Sequence, residues 1–171
     1  MPNASDGVRR RVVLTAAATL LALSTAFGTA SASSRAAAPA SVDDVAVCTT
    51  QIDNPHFSNG AGSVIFKARM SCTTNGNVPE VNLRVWGTLG YVPGGSPGHP
   101  AQGPPGAAAT SDQTQTVPTN GQQVTYYTPV PDDPKKIIAA GTYVGSVTFQ
   151  IVAPALGTVG RGQGNYVYVQ R

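Results

Sequence analysis

An aspartate, a histidine and a serine stand within the six residues Asp53-Asn54-Pro55-His56-Phe57-Ser58, the side-chain types of an orienting carboxylate, a base and a nucleophile. In a hydrolytic triad these groups come from separate parts of the fold, so that the base faces both partners. One short turn rarely arranges that, and Ser58 lacks the strand-to-helix elbow that presents a hydrolase nucleophile. The expectation is a turn in which Asp53 or Asn54 caps its own backbone. Asn54, His56 and Ser58 are then candidate binding residues, and no catalytic residue is assigned. A small hydrolase using His56 is the enzymatic alternative.

Metal and phosphate chemistry find little to work with. Zinc takes three or four protein ligands, and the only histidines are His56 and His99. Asp43-Asp44 and Asp132-Asp133 lack the alternating ligand spacing of a calcium loop. Gly160-Arg161-Gly162-Gln163-Gly164 resembles a phosphate loop superficially, but it lacks the Gly-Lys-Ser/Thr ending and a following helix. It reads as a flexible hairpin turn. No metal and no cofactor is expected.

Cys48 and Cys72 are the only cysteines. A catalytic thiol needs a positioned base, whereas a lone pair in an oxidising compartment most simply forms a disulfide. The bridge would close a loop of about 25 residues and contribute roughly 3 kcal/mol on the chain-entropy model. Trp86 raises a different question. It falls on the polar face of its segment beside Arg84 and Thr88, and Tyr126, Tyr127, Tyr166 and Tyr168 add aromatics later in the chain. An exposed Trp or Tyr on a sheet stacks on sugar rings or anchors a protein partner. The favoured reading has a second sheet covering Trp86, which makes it core.

The compartment is read from residues 1–32. Arg9-Arg10-Arg11 precede an apolar run from Val12 to about Phe27, and Ala30-Ser31-Ala32 offers a small-x-small cleavage site. That is the three-part pattern of a signal peptide. The run is too short and too diluted by Ala and Thr for a transmembrane anchor, so no membrane span is expected after cleavage. Val8 before the arginines makes only a partial twin-arginine match, and the general secretory route is expected. Secretion follows, with cell-wall association left open. Residues 33–44, Ala-, Ser- and Pro-rich, read as a flexible leader.

The formal charge of +3 belongs to the whole chain. Without residues 1–32, 8 Lys and Arg stand against 7 Asp and Glu, a net +1. A nucleic-acid binder carries a basic patch or stripe, so nucleic acid is not an expected partner.

The elements that would position these residues are strands. Ser63–Cys72 alternates Val64, Phe66, Ala68, Met70 and Cys72 against Lys67, Arg69 and Ser71. Val81–Val92 sets Val81, Leu83, Val85, Leu89 and Tyr91 against Asn82, Arg84, Trp86 and Thr88, and Thr142–Val152 repeats the pattern. Such period-two patterning marks half-buried strands. Val45–Ile52, Val124–Thr128 and Asn165–Gln170 are shorter candidates, and Lys135–Ala140 is read as one helical turn ended by Gly141. Asn59-Gly60, Asn75-Gly76, Asn120-Gly121 and Pro131–Pro134 supply turns. The predicted fold is all-β, a single antiparallel β-sandwich (immunoglobulin-like or related) over residues 45–171 with one disulfide. Pro93–Gly106, with five Pro and five Gly, is expected to form a long, extended and mobile loop carrying His99 as a candidate binding residue.

The segment Asn54-Pro55-His56-Phe57-Ser58-x-Gly60-Ala61-Gly62-x-Val64-Ile65-x-Lys67-Ala68-Arg69-x-x-Cys72 resembles small secreted actinobacterial proteins of uncharacterised function. The resemblance covers about 20 of the 171 residues. It implies secretion and a β fold and carries over no site. Taken together, these readings predict a secreted, non-enzymatic binding or structural module whose partner is an extracellular protein or a cell-wall glycan. The alternative is a diffusible protein inhibitor or toxin-like effector acting on another secreted protein.

Overall fold

A computed structural model of the chain describes residues 45–171. The segments read as signal peptide and leader, residues 1–32 and 33–44, lie outside the described residues. The architecture is all-strand and antiparallel, with no helix among the described residues. Eleven strands follow in order: β1 (Ala46–Ile52), β2 (His56–Ser58), β3 (Ser63–Thr74), β4 (Glu80–Val92), β5 (Gly95–Ser96), β6 (His99–Pro100), β7 (Gly106–Pro118), β8 (Asn120–Thr128), β9 (Gly141–Ala153), β10 (Val159–Gln163) and β11 (Val167–Val169). One sheet is built on β3, which pairs β1, β2 and β8; a five-stranded sheet runs β10-β9-β4-β7, with β11 also on β9.

The alternation explains why the long strands sit where they do. Val64, Phe66, Ala68, Met70 and Cys72 of β3 are buried, as are Val81, Leu83, Val85 and Leu89 of β4 and Tyr143 and Val147 of β9. These side chains, from both sheets, meet in one core. Two contacts tie the sheets together closely. The Tyr126 hydroxyl of β8 donates to the Leu83 carbonyl of β4 at 3.0 Å. Gly145 of β9 lies under the Phe66 ring of β3, where a Cβ would come within 2.6 Å. Cys48 and Cys72 face each other directly in the β1–β3 ladder and are bonded, with Cα atoms 4.1 Å apart.

Four expectations are corrected. Pro93–Gly106 is not an extended loop: it turns back as the β5–β6 hairpin. The Thr142 hydroxyl pins it, donating to the Gly94 carbonyl and accepting from the Ala101 N–H. Gly94, Gly95 and Gly98, all at positive φ, permit the tight reversal that other residues resist. Second, 135–140 forms no helical turn, because Ile137 spends its backbone on β3. Its N–H donates to Ser63 Oγ and its carbonyl accepts from the Val64 N–H.

Third, Gly160–Gly164 is not a flexible turn, since Val159–Gln163 is a paired strand on β9. Its glycines serve close packing. A Cβ at Gly160 would meet the Phe149 ring at 2.3 Å, and one at Gly162 would meet Thr50 of β1 at 2.8 Å. Fourth, among the described residues no second sheet covers Trp86. It is half-buried on the solvent side of the five-stranded sheet.

Two further strands escaped the sequence reading. Where a turn capped by Asp53 or Asn54 was expected, His56–Ser58 pairs β3 as β2 and the Asp53 carboxylate goes to Arg69 instead. β7 pairs β4 from Glu80↔Pro118 to Tyr91↔Gly106, and its other side faces β8 without a backbone ladder between them. Side chains close that gap. Gln113 Nε2 donates to the Tyr127 carbonyl at 2.7 Å, Gln115 Nε2 to the Thr125 carbonyl at 3.3 Å, and the Ser111 and Thr128 hydroxyls lie 2.7 Å apart. The carbonyls they occupy belong to a sheet edge that would otherwise be free to template pairing.

Burial pushes the Tyr126 hydroxyl up to about 12 and, together with the neighbouring Tyr91, does the same to Tyr143. Unfolded tyrosines ionise near 10, so between these values the folded chain holds more protons than the unfolded one. Stability is therefore fully present below about pH 10 and falls as pH rises toward about 12. Urea midpoints measured at about pH 9 and about pH 11 are expected to drop at the higher value, with a smaller drop in Tyr126→Phe.

Candidate functional site

The five-stranded sheet turns its core residues inward, so the alternate residues of β4, β7, β9 and β10 share its outer face. Register lines them up. Asp112, Trp86, Thr148 and Arg161 stand side by side across four strands, and Thr110, Thr88, Ser146 and Gln163 form the next row. The result is a tryptophan surrounded by hydroxyl, amide and charged groups on a flat, ladder-held support.

Trp86 is fixed from one side. The Arg84 guanidinium lies 4.7 Å from the indole centroid, a cation–π distance. The same guanidinium grips Asp112 in a fork, Nε to Oδ1 at 2.9 Å and Nη2 to Oδ2 at 2.6 Å. This hydrogen bond holds the Asp112 carboxyl below its usual range, with a smaller contribution from the Trp86 indole, and raises Arg84 in turn. Both side chains are nearly half exposed, so the pair orients Trp86 more than it stabilises the fold.

On the Thr88 side of the indole the surface opens into a groove of about 470 Å³, lined by Trp86, Thr88, Ser146, Thr148, Arg161 and Gln163 together with Val147 and Gly162. Its lining offers an aromatic surface, three hydroxyls, one amide and one cation. It holds no nucleophile–base pair. What such a surface can do chemically is bind a polar ligand that also has an apolar face.

The other candidates from the sequence lie elsewhere. The Asp53 carboxylate is taken by Arg69 at 2.8 Å. The His56 ring Nδ1 contacts the Asn54 carbonyl of its own turn at 3.1 Å, and Ser58 Oγ accepts from the Ala61 N–H at 3.4 Å. The three groups are thus each engaged in a separate bond. Ser58 borders a second pocket of about 330 Å³ with Ile65, Tyr127, Pro129 and Pro131. Asn54 and His56 are exposed, and His99 is exposed on β6. None of these four lines the Trp86 groove. Among the described residues no three or more His, Cys, Asp or Glu gather as a metal set, and no helix is long and apolar enough to cross a membrane.

No protein-family model, curated protein or solved structure matches the chain. The groove thus has to be read from its own residues. Arg84, Trp86 and Thr88 were legible as one polar face. Arg161 and Gln163 were missed because the glycines around them looked like a turn. The usable signal was the strict alternation Gly160-Arg161-Gly162-Gln163-Gly164, which is also period two.

Proposed function

We propose that the chain is an exported, non-enzymatic binding domain, a β-sandwich of immunoglobulin-like or related type, that holds an extracellular glycan against the outer face of its five-stranded sheet. The observation that carries this reading is Trp86, oriented by the Arg84–Asp112 fork at the edge of a groove lined with hydroxyl and amide groups. A pyranose has an apolar ring face for the indole and equatorial hydroxyls for Thr88, Ser146, Thr148 and Gln163. Aromatic anchors of this kind dominate binding energy at interfaces. The signal-peptide pattern and the resemblance to secreted actinobacterial proteins agree with a ligand outside the cell.

Trp86→Ala is expected to lower retention on purified cell-wall glycan by about tenfold or more in a sedimentation assay. His56→Ala is expected to bind as wild type. Equal retention of wild type and Trp86→Ala would remove the reading.

A second reading rests on a different observation. The Gly95–Pro100 hairpin is exposed yet pinned by Thr142, and pre-ordered loops favour inhibitors. A diffusible inhibitor would show tight inhibition of a co-secreted protease that Thr142→Val weakens; inertness across a protease panel excludes it.

A further inference from the structure

We infer that the glycan taken by the Trp86 groove is acidic, with a sugar carboxylate received by Arg161. This inference rests on the glycan reading above and specifies its ligand.

Arg84 is neutralised by Asp112, Arg69 by Asp53, and Arg171 lies over the Phe57 ring. Arg161 is exposed and, among the described residues, makes no ion pair or side-chain hydrogen bond. It is the one charged residue lining the groove. The nearest carboxylate in its row, Asp112, lies beyond Trp86 and is already held in the Arg84 fork. The groove therefore presents an uncompensated positive charge, and an anion is the complementary partner.

Geometry sets the kind of anion. Arg161 and Trp86 flank Thr148 in adjacent strands, so their backbones stand two strand spacings apart, about 10 Å. That leaves room for one sugar ring stacked on the indole above the Thr148 hydroxyl, with a carboxylate on the ring reaching the guanidinium. An arginine fork matches a carboxylate in two parallel hydrogen bonds. The support is rigid for this task. Gly160 and Gly162 face inward against Phe149, Thr50 and Ile52, which seats β10 tightly while its alternate residues, Arg161 and Gln163, face the ligand.

The test is calorimetric titration of the full mature chain with oligogalacturonate and with the same oligomer methyl-esterified, which keeps the ring and removes the charge. Wild type is expected to bind the free acid about tenfold more tightly than the ester. Arg161→Gln, an exposed substitution expected to melt as wild type, is expected to lose that preference and bind acid and ester alike. Trp86→Ala is expected to lose both. Equal binding of acid and ester by wild type, with Arg161→Gln unchanged, overturns the acidic ligand and leaves the glycan reading standing. Binding of neither oligomer, with cell-wall glycan still retained through Trp86, also overturns the carboxylate assignment alone. Loss of all glycan binding removes both readings.

Discussion

Phe66→Ala is expected to lower the unfolding free energy by about 3–5 kcal/mol, the usual cost of emptying an aromatic from a closed core. Phe66 is fully buried, and its ring occupies the space that Gly145 of the facing sheet leaves open. The deletion removes apolar burial and leaves a cavity whose opposite wall has no side chain to collapse into it. Gly145→Ala supplies the complementary measurement. Alone it forces a Cβ to 2.6 Å from the ring and is expected to cost about 1–3 kcal/mol by overpacking. In the Phe66→Ala background that clash disappears, so the double variant is expected to be more stable than the sum of the two losses. Urea unfolding of the four proteins measures this. Additive losses would mean that Phe66 and Gly145 do not pack on each other.

The second large effect concerns the disulfide. Cys48→Ala/Cys72→Ala is expected to cost about 3 kcal/mol, because the bridge closes a loop with a sequence separation of 24 and restricts the unfolded chain. Alanine is the better replacement, since Cys72 is fully buried and a serine hydroxyl there would be left without a partner. The consequence reaches beyond stability. Among the described residues β1 has only β3 as its ladder partner, and its Thr50 and Ile52 side chains pack on the inward-facing Gly162 of β10. Weakening β1 loosens the strand that carries Arg161 and Gln163. The urea midpoint is expected to fall while the slope rises, because the uncrosslinked unfolded state exposes more surface. An unchanged midpoint would contradict a stabilising role for the bridge.

Strands that bury one apolar face were legible before any coordinates. β3, β4 and β9 announce themselves by apolar residues at alternate positions, and the disulfide follows from a lone pair of cysteines in a chain read as exported. β7 was not legible because, apart from Val117, its inward positions carry Ser111, Gln113 and Gln115 rather than β-branched residues. It is held by its ladder to β4 and by side-chain bonds to β8, and neither leaves a hydrophobic pattern. β10 hid for the opposite reason. Its inward positions need no side chain, because the space above them is filled by Phe149, Thr50 and Ile52. Those contacts are long-range, and local propensity does not contain them. Trp86 was placed on the correct face of β4, but whether another layer covers that face depends on how the sheets assemble. The Pro/Gly-rich segment likewise looks unstructured until the distant Thr142 hydroxyl is counted among its partners.

Trp86, the chain's only tryptophan, is a direct probe of the proposed glycan-holding outer face of the five-stranded sheet. The measurement is acrylamide quenching of its emission, with and without saturating soluble cell-wall glycan whose binding is confirmed by sedimentation. A neutral quencher keeps the result independent of Arg161. The half-buried indole is expected to be quenched in the free protein, and bound glycan to reduce the quenching slope severalfold. Bound glycan with an unchanged slope would place the ligand elsewhere on the molecule and contradict the account.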